Sequence, residues 1–282
     1  MKKWTNKEEQ WLKDNYQIKG RSFCIEYLCI NKRQLDWKVS ELRLKLPKEI
    51  KNVKQIYIKG DAQYSVNAEF FTLPQTKEAC YLLGFWWADG HIRHSDEKNK
   101  TRSSVVLKCC SEDVQKIKHI IDLSGKWCFR LDKSKSKYNT RPTTIVETSN
   151  RILTKFLYDN DYKIKGGASA SKILSHIPLE FRSYFFLGLS DGDGSFVPCK
   201  DQRGGCFSLA SSYDQDWQYV TDELGKRGIK YSIKKRIMPT GRNSCVLVTG
   251  MRNHFKLHSF LYPNGFEFGL KRKYDKSILC CG

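Results

Sequence analysis

Tyr81-Leu82-Leu83-Gly84-Phe85-Trp86-Trp87-Ala88-Asp89-Gly90 recurs 104 positions later as Phe185-Phe186-Leu187-Gly188-Leu189-Ser190-Asp191-Gly192-Asp193-Gly194. In both stretches an apolar run carries a glycine at its middle and ends in Asp-Gly. The same offset joins Pro74 to Pro178, and Phe156-Leu157-Tyr158-Asp159-Asn160 to Phe260-Leu261-Tyr262-Pro263-Asn264. Distant anchors that share one offset mark an internal duplication. Residues 73–165 and 177–282 are read as two copies of one unit, with 166–176 as the link between them.

The pattern downstream of each stretch is also shared. Each apolar helix ends at Asp-Gly, where glycine suits the left-handed residue after a helix. Strands are expected at 91–95 and 103–109, and again at 195–199 and 206–210. A helix follows at 112–122 and at 214–225. Two more strands follow at 126–132 and 143–148, then at 230–237 and 244–249. The Phe-Leu-Tyr match lies in a closing helix. The fold class expected is α+β, with the order αββαββα run through twice.

The third strand of each copy speaks to function. Trp127, Phe129 and Leu131 alternate with Lys126, Cys128 and Arg130; Lys230, Ser232, Lys234 and Arg236 share a face in the second copy. Period-two alternation predicts a sheet with one buried face and one basic face. Such a face could lie along a DNA groove.

Glycine inside a helix costs about 1 kcal/mol relative to alanine. Close approach to a second helix would offset that cost, so Gly84 and Gly188 are expected at the contact between the two apolar helices. Side-by-side packing would bring Asp89 and Asp193 together. Carboxylates about 4 Å apart repel by about 4 kcal/mol at an effective dielectric near 20. A hard divalent cation removes that repulsion, and oxygen donors suit Mg²⁺. Mg²⁺ between carboxylates and phosphate oxygens is the arrangement used for phosphodiester hydrolysis.

These residues resemble the two signature helices of the LAGLIDADG homing endonucleases in their single-chain, two-motif form. The likeness runs from about residue 64 to 276 and includes Ile177-Pro178, Phe181-Arg182 and Tyr184 ahead of the second motif. It implies a pseudo-symmetric saddle of two four-stranded antiparallel sheets. It also implies site-specific double-strand DNA cleavage, with divalent metal bound by the last acidic residue of each motif, here Asp89 and Asp193. The departures lie in the first motif, where Trp86 and Trp87 replace the usual aliphatic residue and Asp. The resemblance further offers Lys108 as a basic residue near the reaction, with Ala210 or Ser211 as its counterpart. His91 and His94 are read as surface or DNA-face residues. An RNA maturase on the same fold, serving intron RNA, and a DNA-binding regulator that no longer cleaves remain open alternatives.

Residues 1–47 stand outside the duplication. Thr5-Asn6-Lys7-Glu8 is a capping box. Arg21-Ser22 can cap a second helix and Asn31 a third, with Leu35, Val39 and Leu42 on its apolar stripe. Arg33 and Lys38 lie off that stripe. The segment is similar to small Myb/SANT-like helix-turn-helix domains, which implies a further DNA contact through Arg33 and Lys38. Residues 48–72 read as a linker.

Composition fits this reading. The chain of 282 residues carries 50 Lys and Arg against 30 Asp and Glu, a formal net charge of +20. The excess is spread out: net +5 over 1–47, +8 over 73–176 and +6 over 177–282. With 40% hydrophobic residues the chain is no disordered polycation, and its basicity along a folded surface favours a polyanion partner. No apolar run approaches the ~20 residues of a membrane span. Eleven cysteines without CxxC or zinc-finger spacing are expected as thiols in a reducing compartment. The expectation is an intracellular monomer, in bacterial or phage-infected cytoplasm or an organelle.

Overall fold

The computed structural model describes residues 4–44, 65–94, 103–132, 141–199, 204–238 and 241–282. The chain divides into two compact units, 1–62 and 63–282.

In the first unit, the Thr5 backbone N–H donates to Glu8 Oε2 (2.9 Å), and the Glu8 N–H donates to Thr5 Oγ1 (3.3 Å). This box opens one helix, Asn6–Tyr27. A second box, Asn31 with Gln34, opens the helix Lys32–Glu41. The sequence predicts three helices here, and the described residues form two. No proline interrupts residues 6–27, and a glycine such as Gly20 costs only about 1 kcal/mol, too little to end a helix. Leu12, Tyr16, Cys24, Leu28, Ile30, Leu35 and Val39 make the unit's core.

Lys38 departs further from expectation. It is only 3% exposed, with Nζ 2.7 Å from Glu9 and 3.0 Å from Glu41, between the Trp4 and Trp37 rings. Burial opposes its charge, but the hydrogen bonds to Glu9 and Glu41 outweigh it and raise its pKa. Its ammonium ties the two helices together and does not face outward for DNA.

The second unit holds two four-stranded antiparallel sheets. The first comprises β1 (Gly90–His94), β2 (Ser103–Cys110), β3 (Cys128–Leu131) and β4 (Thr143–Thr148), in the order β1-β2-β4-β3. The second comprises β5 (Gly194–Pro198), β6 (Gly205–Ser212), β7 (Ser232–Met238) and β8 (Gly241–Thr249), in the order β5-β6-β8-β7. A helix precedes each sheet, Lys77–Asp89 and Arg182–Asp193, called here the first and second motif helices. Thr76 caps the first by accepting from the Ala79 N–H (3.2 Å). Within each sheet a helix joins the second and third strands, Ser111–Leu123 and Gln218–Lys226. The closing helices are Arg151–Asp159 and Met251–Leu261. Short helices at Ser171–His176 and Lys271–Leu279 add to this plan.

The motif helices are apolar on every side, which requires burial on every side. Ala79 through Trp87 and Ser183 through Asp191 are all buried. One hydrophobic core runs through both copies, from Val66 to Cys280.

Two local expectations change. Gly90 and Gly194 are extended, with φ of −84° and −83°, and do not adopt the left-handed conformation. Their need is for space: a Cβ at Gly90 would lie 2.6 Å from the Trp86 carbonyl oxygen, and one at Gly194 2.5 Å from that of Ser190. The outer strand β7 also lacks the buried face that its alternation predicts, whereas in the first copy Trp127 is buried and Phe129 packs against the core. All of 231–237 is exposed, Ile237 by 74%, and Leu131 of β3 is exposed too. Both strands are sheet edges, and β7 is the one left uncovered along its length. Among the described residues no helix is long and apolar enough to cross a membrane.

Candidate active site

A Cβ on Gly84 would fall on the carbonyl oxygen of Phe185, with the Leu189 nitrogen at 3.0 Å. A Cβ on Gly188 would fall on the carbonyl oxygen of Tyr81, with the Phe85 nitrogen at 2.7 Å. The two motif helices therefore meet backbone to backbone. Gly192 extends the seam, where a Cβ would collide with Ala88 and lie 3.4 Å from Asp89 Oδ2. The Asp89 carboxylate thus sits against the opposite helix, one residue from Asp193.

Both carboxylates are partly buried. Burial pushes the Asp89 carboxyl up, while Lys165 and Lys273 oppose the shift. Asp193 is pushed up to about 6, first by burial and then by the charge of Asp89, against the pull of Lys165 and Lys273. The charge of Asp89 thus adds to the cost of ionising Asp193.

Two lysines outside the sequence prediction hold the helix ends. Lys165 donates to the Ala88 carbonyl oxygen at the end of the first motif helix. Burial lowers its pKa to about 8, while Asp193 and Asp89 pull the other way. Lys273 donates to the carbonyl oxygens of Ser190 (2.9 Å), Asp191, Gly192 (3.3 Å) and Gly194 (2.8 Å). Cations at helix C-termini satisfy carbonyls that have no intrahelical partner and oppose the negative end of the dipole. Each lysine follows the closing helix of its own copy. The signal for Lys165 was its position just before Gly166-Gly167 in an aperiodic stretch, which carries no helix or strand pattern.

A cavity of about 80 Å³ lies beside Asp193, lined in part by Lys165, Ala210, Ser211 and Gln215. No group of three or more His, Cys, Asp or Glu gathers as metal ligands among the described residues. The acidic groups at the end of the seam are the carboxylates of Asp89 and Asp193. That set fits a hard cation such as Mg²⁺, which completes its shell with waters and phosphate oxygens.

Asp191 occupies the register of Trp87 and does different work. It is fully enclosed, and Oδ2 accepts from Tyr81 Oη (2.9 Å) and the Leu270 N–H (2.8 Å). Burial raises its pKa to about 6, against Lys273 and these hydrogen bonds. Trp87 instead meets Tyr162 and Tyr219 edge to face, with ring centres 5.0 and 6.2 Å away.

The remaining candidates lie farther out. Lys108 is exposed on β2, opposite Ile145, with Nζ 2.5 Å from Asp132 Oδ2. It is paired with a carboxylate, and the lysines whose charge acts on Asp89 and Asp193 are Lys165 and Lys273. Gly90 pairs with Leu107 and Gly194 with Leu209, so Ala210 is the counterpart of Lys108. Arg130 donates to Glu147 Oε2 (3.0 Å). Lys126 and Lys230 are exposed just ahead of the third strands, and Lys234 and Arg236 are exposed on β7. Arg33 is exposed on the second helix of the first unit. His91 is exposed on β1, opposite Val106.

No protein-family model and no curated protein matches the chain. Among solved structures, I-DmoI in complex with DNA and Ca is 19% identical, with a TM-score of 0.46 over 66% of this chain and 88% of that one. I-DmoI in complex with DNA and Mn is 19% identical, with a TM-score of 0.42 over 66% of this chain and 96% of that one. The meganuclease I-SmaMI bound to uncleaveable DNA is 16% identical, with a TM-score of 0.46 over 71% of this chain and 88% of that one.

Proposed function

We propose that the chain is a site-specific endonuclease of the LAGLIDADG homing type, hydrolysing double-stranded DNA with a divalent cation. The observation that carries this reading is the seam. Two duplicated helices pack through Gly84 and Gly188 and present Asp89 and Asp193 side by side, each followed directly by a four-stranded sheet. Both acids belong to one chain, so a monomer suffices.

Asp89 and Asp193 would hold the cation, with Mg²⁺ the expected ion. When bound, it lowers the pKa of a water and neutralises charge on phosphate oxygens. Burial raises both acids even with Lys165 and Lys273 beside them, so a cation at the pair would add to the charge those lysines supply. Lys165 donates to the Ala88 carbonyl oxygen beside both carboxylates, and burial lowers its pKa to about 8. Its position beside the acids, with Lys108 paired to Asp132, supports Lys165 as the basic residue of the proposed reaction. Lys126, Lys230, Lys234 and Arg236 supply positive charge for the phosphate backbone. Arg33 supplies the same on the first unit.

The test is cleavage of a randomised duplex library with Mg²⁺, comparing the natural chain with Asp193→Asn. Double-strand breaks at one recurring sequence, absent from the variant, are expected. Equal cutting by Asp193→Asn would overturn the assignment.

A further inference from the structure

The open face of the first sheet carries a negative charge at its middle. Glu147, on β4, lies between β2 and β3 and pairs in register with Val106 and Cys128. Ser104 Oγ donates to its Oε1 at 2.6 Å, Arg93 Nη1 lies 3.5 Å from the same oxygen, and Arg130 Nη2 donates to Oε2 at 3.0 Å. The two arginines come from the sheet's outer strands and converge on this one carboxylate. Their side chains are still 41% and 45% exposed.

The second sheet has nothing comparable. Its registers place Leu247 where the first has Glu147, Val197 for Arg93, Cys206 for Ser104 and Lys234 for Arg130. Val197 is 58% exposed, and Lys234 makes no ion pair with a described residue.

We propose that Glu147 is a positioning residue that fixes the guanidinium groups of Arg93 and Arg130 to recognise guanine in the DNA half-site facing the first sheet. This rests on the DNA reading above. A carboxylate facing phosphates is repelled by them, so its presence needs a role other than affinity. An arginine engaged by a carboxylate is also a weaker phosphate neutraliser than a free one. Each arginine spends one of its five N–H donors on Glu147 and keeps the rest. The guanidinium fork matches the O6 and N7 acceptors of guanine in the major groove. Holding the side chains in place beforehand removes rotamer entropy that would otherwise be lost on binding. Two forks on one carboxylate are close enough to address neighbouring base pairs, stacked about 3.4 Å apart. The second sheet, with Lys234 and Arg236 and no carboxylate at this register, suits sequence-tolerant phosphate contact.

The experiment is selection from a random duplex pool by the full chain in EDTA, which separates binding from cutting. The natural chain, Glu147→Leu and Glu147→Gln are compared. Leucine is what the second sheet carries at this register, and thermal melts verify each fold. The natural chain is expected to enrich a site with a guanine preference of about tenfold or more in one half. Glu147→Leu should lose most of that preference, leave the other half unchanged, and bind mixed-sequence duplex at least as tightly. Glu147→Gln, which keeps an acceptor for Ser104 and one arginine, should fall between. An unchanged guanine preference in Glu147→Leu overturns the proposal, as does a loss spread evenly over the whole site. Retention of no duplex by the natural chain overturns the DNA reading itself, and this inference with it.

Discussion

Glu147 and Leu247 occupy one register position in two sheets of the same order, yet one gathers two arginines and the other is simply buried. Trp87 and Asp191 make the same contrast one layer down. The aromatic residue fills space against Tyr162 and Tyr219, while the acid ties Tyr81 to the backbone at Leu270. Against these differences stand pairs that did not diverge: Gly84 with Gly188, and Asp89 with Asp193. The copies stay alike at the seam glycines and the two acids, whereas Trp87 and Asp191 have diverged although each touches the other copy, through Tyr219 and Tyr81.

The sharpest way to break this comparison is to treat the copies separately. Asp89→Asn and Asp193→Asn should each lower double-strand cleavage about a thousandfold or more, read on a supercoiled plasmid carrying the selected site. Substantial double-strand cutting by either variant would show that the two acids are not equivalent. Next in size is Trp87→Asp, which installs the second copy's residue in the first. The new carboxylate would be buried without the partners Asp191 has, so a loss of about 4 kcal/mol is expected in denaturant melts. A variant as stable as the parent would mean that the two pockets are interchangeable. Gly84→Ala and Gly188→Ala should each cost about 3 kcal/mol, and by similar amounts, because the opposing atoms are backbone and cannot yield.

A smaller effect separates metal from fold. The Asp193 carboxyl rises from 3.8 to about 6 on folding, so the folded chain binds its proton more tightly than the unfolded one. That contribution is full below the unfolded value and is lost as pH rises through about 6. A cation then replaces the proton. Mg²⁺ should raise Tm at about pH 7.5 and have almost no effect at about pH 5. Equal Mg²⁺ shifts at both would remove Asp193 from the binding site. Smallest is Gly225→Ala, a helical glycine with nothing within 4 Å of its added Cβ. It should raise Tm by about 2 °C, setting the seam glycines apart from an ordinary one.

The duplication was legible because the backbone contact at Gly84 and Gly188 tolerates few residue types, and so leaves a repeated pattern. Lys165 was not legible, since it stands in an aperiodic segment and reaches the site only through tertiary packing. Lys38 was misread for a related reason. Spacing shows which residues share a helical stripe, but Glu9 on another helix decides where the ammonium goes. Strand alternation assigned β7 its faces correctly, since Ser232, Lys234 and Arg236 do share one. It could not show that β7 lies uncovered at the edge of its sheet.

The seam also bears on ancestry. Gly84 meets the carbonyl of Phe185, and Gly188 meets that of Tyr81, its counterpart. An interface in which i touches j while j touches i is the kind that two identical subunits form. A half-length ancestor could have made this contact with a second copy of itself, and would then have been bound to present two identical surfaces. Joining the halves in one chain lifted that constraint. Only afterwards could Glu147 and Leu247 part company, and two identical surfaces give way to two different ones.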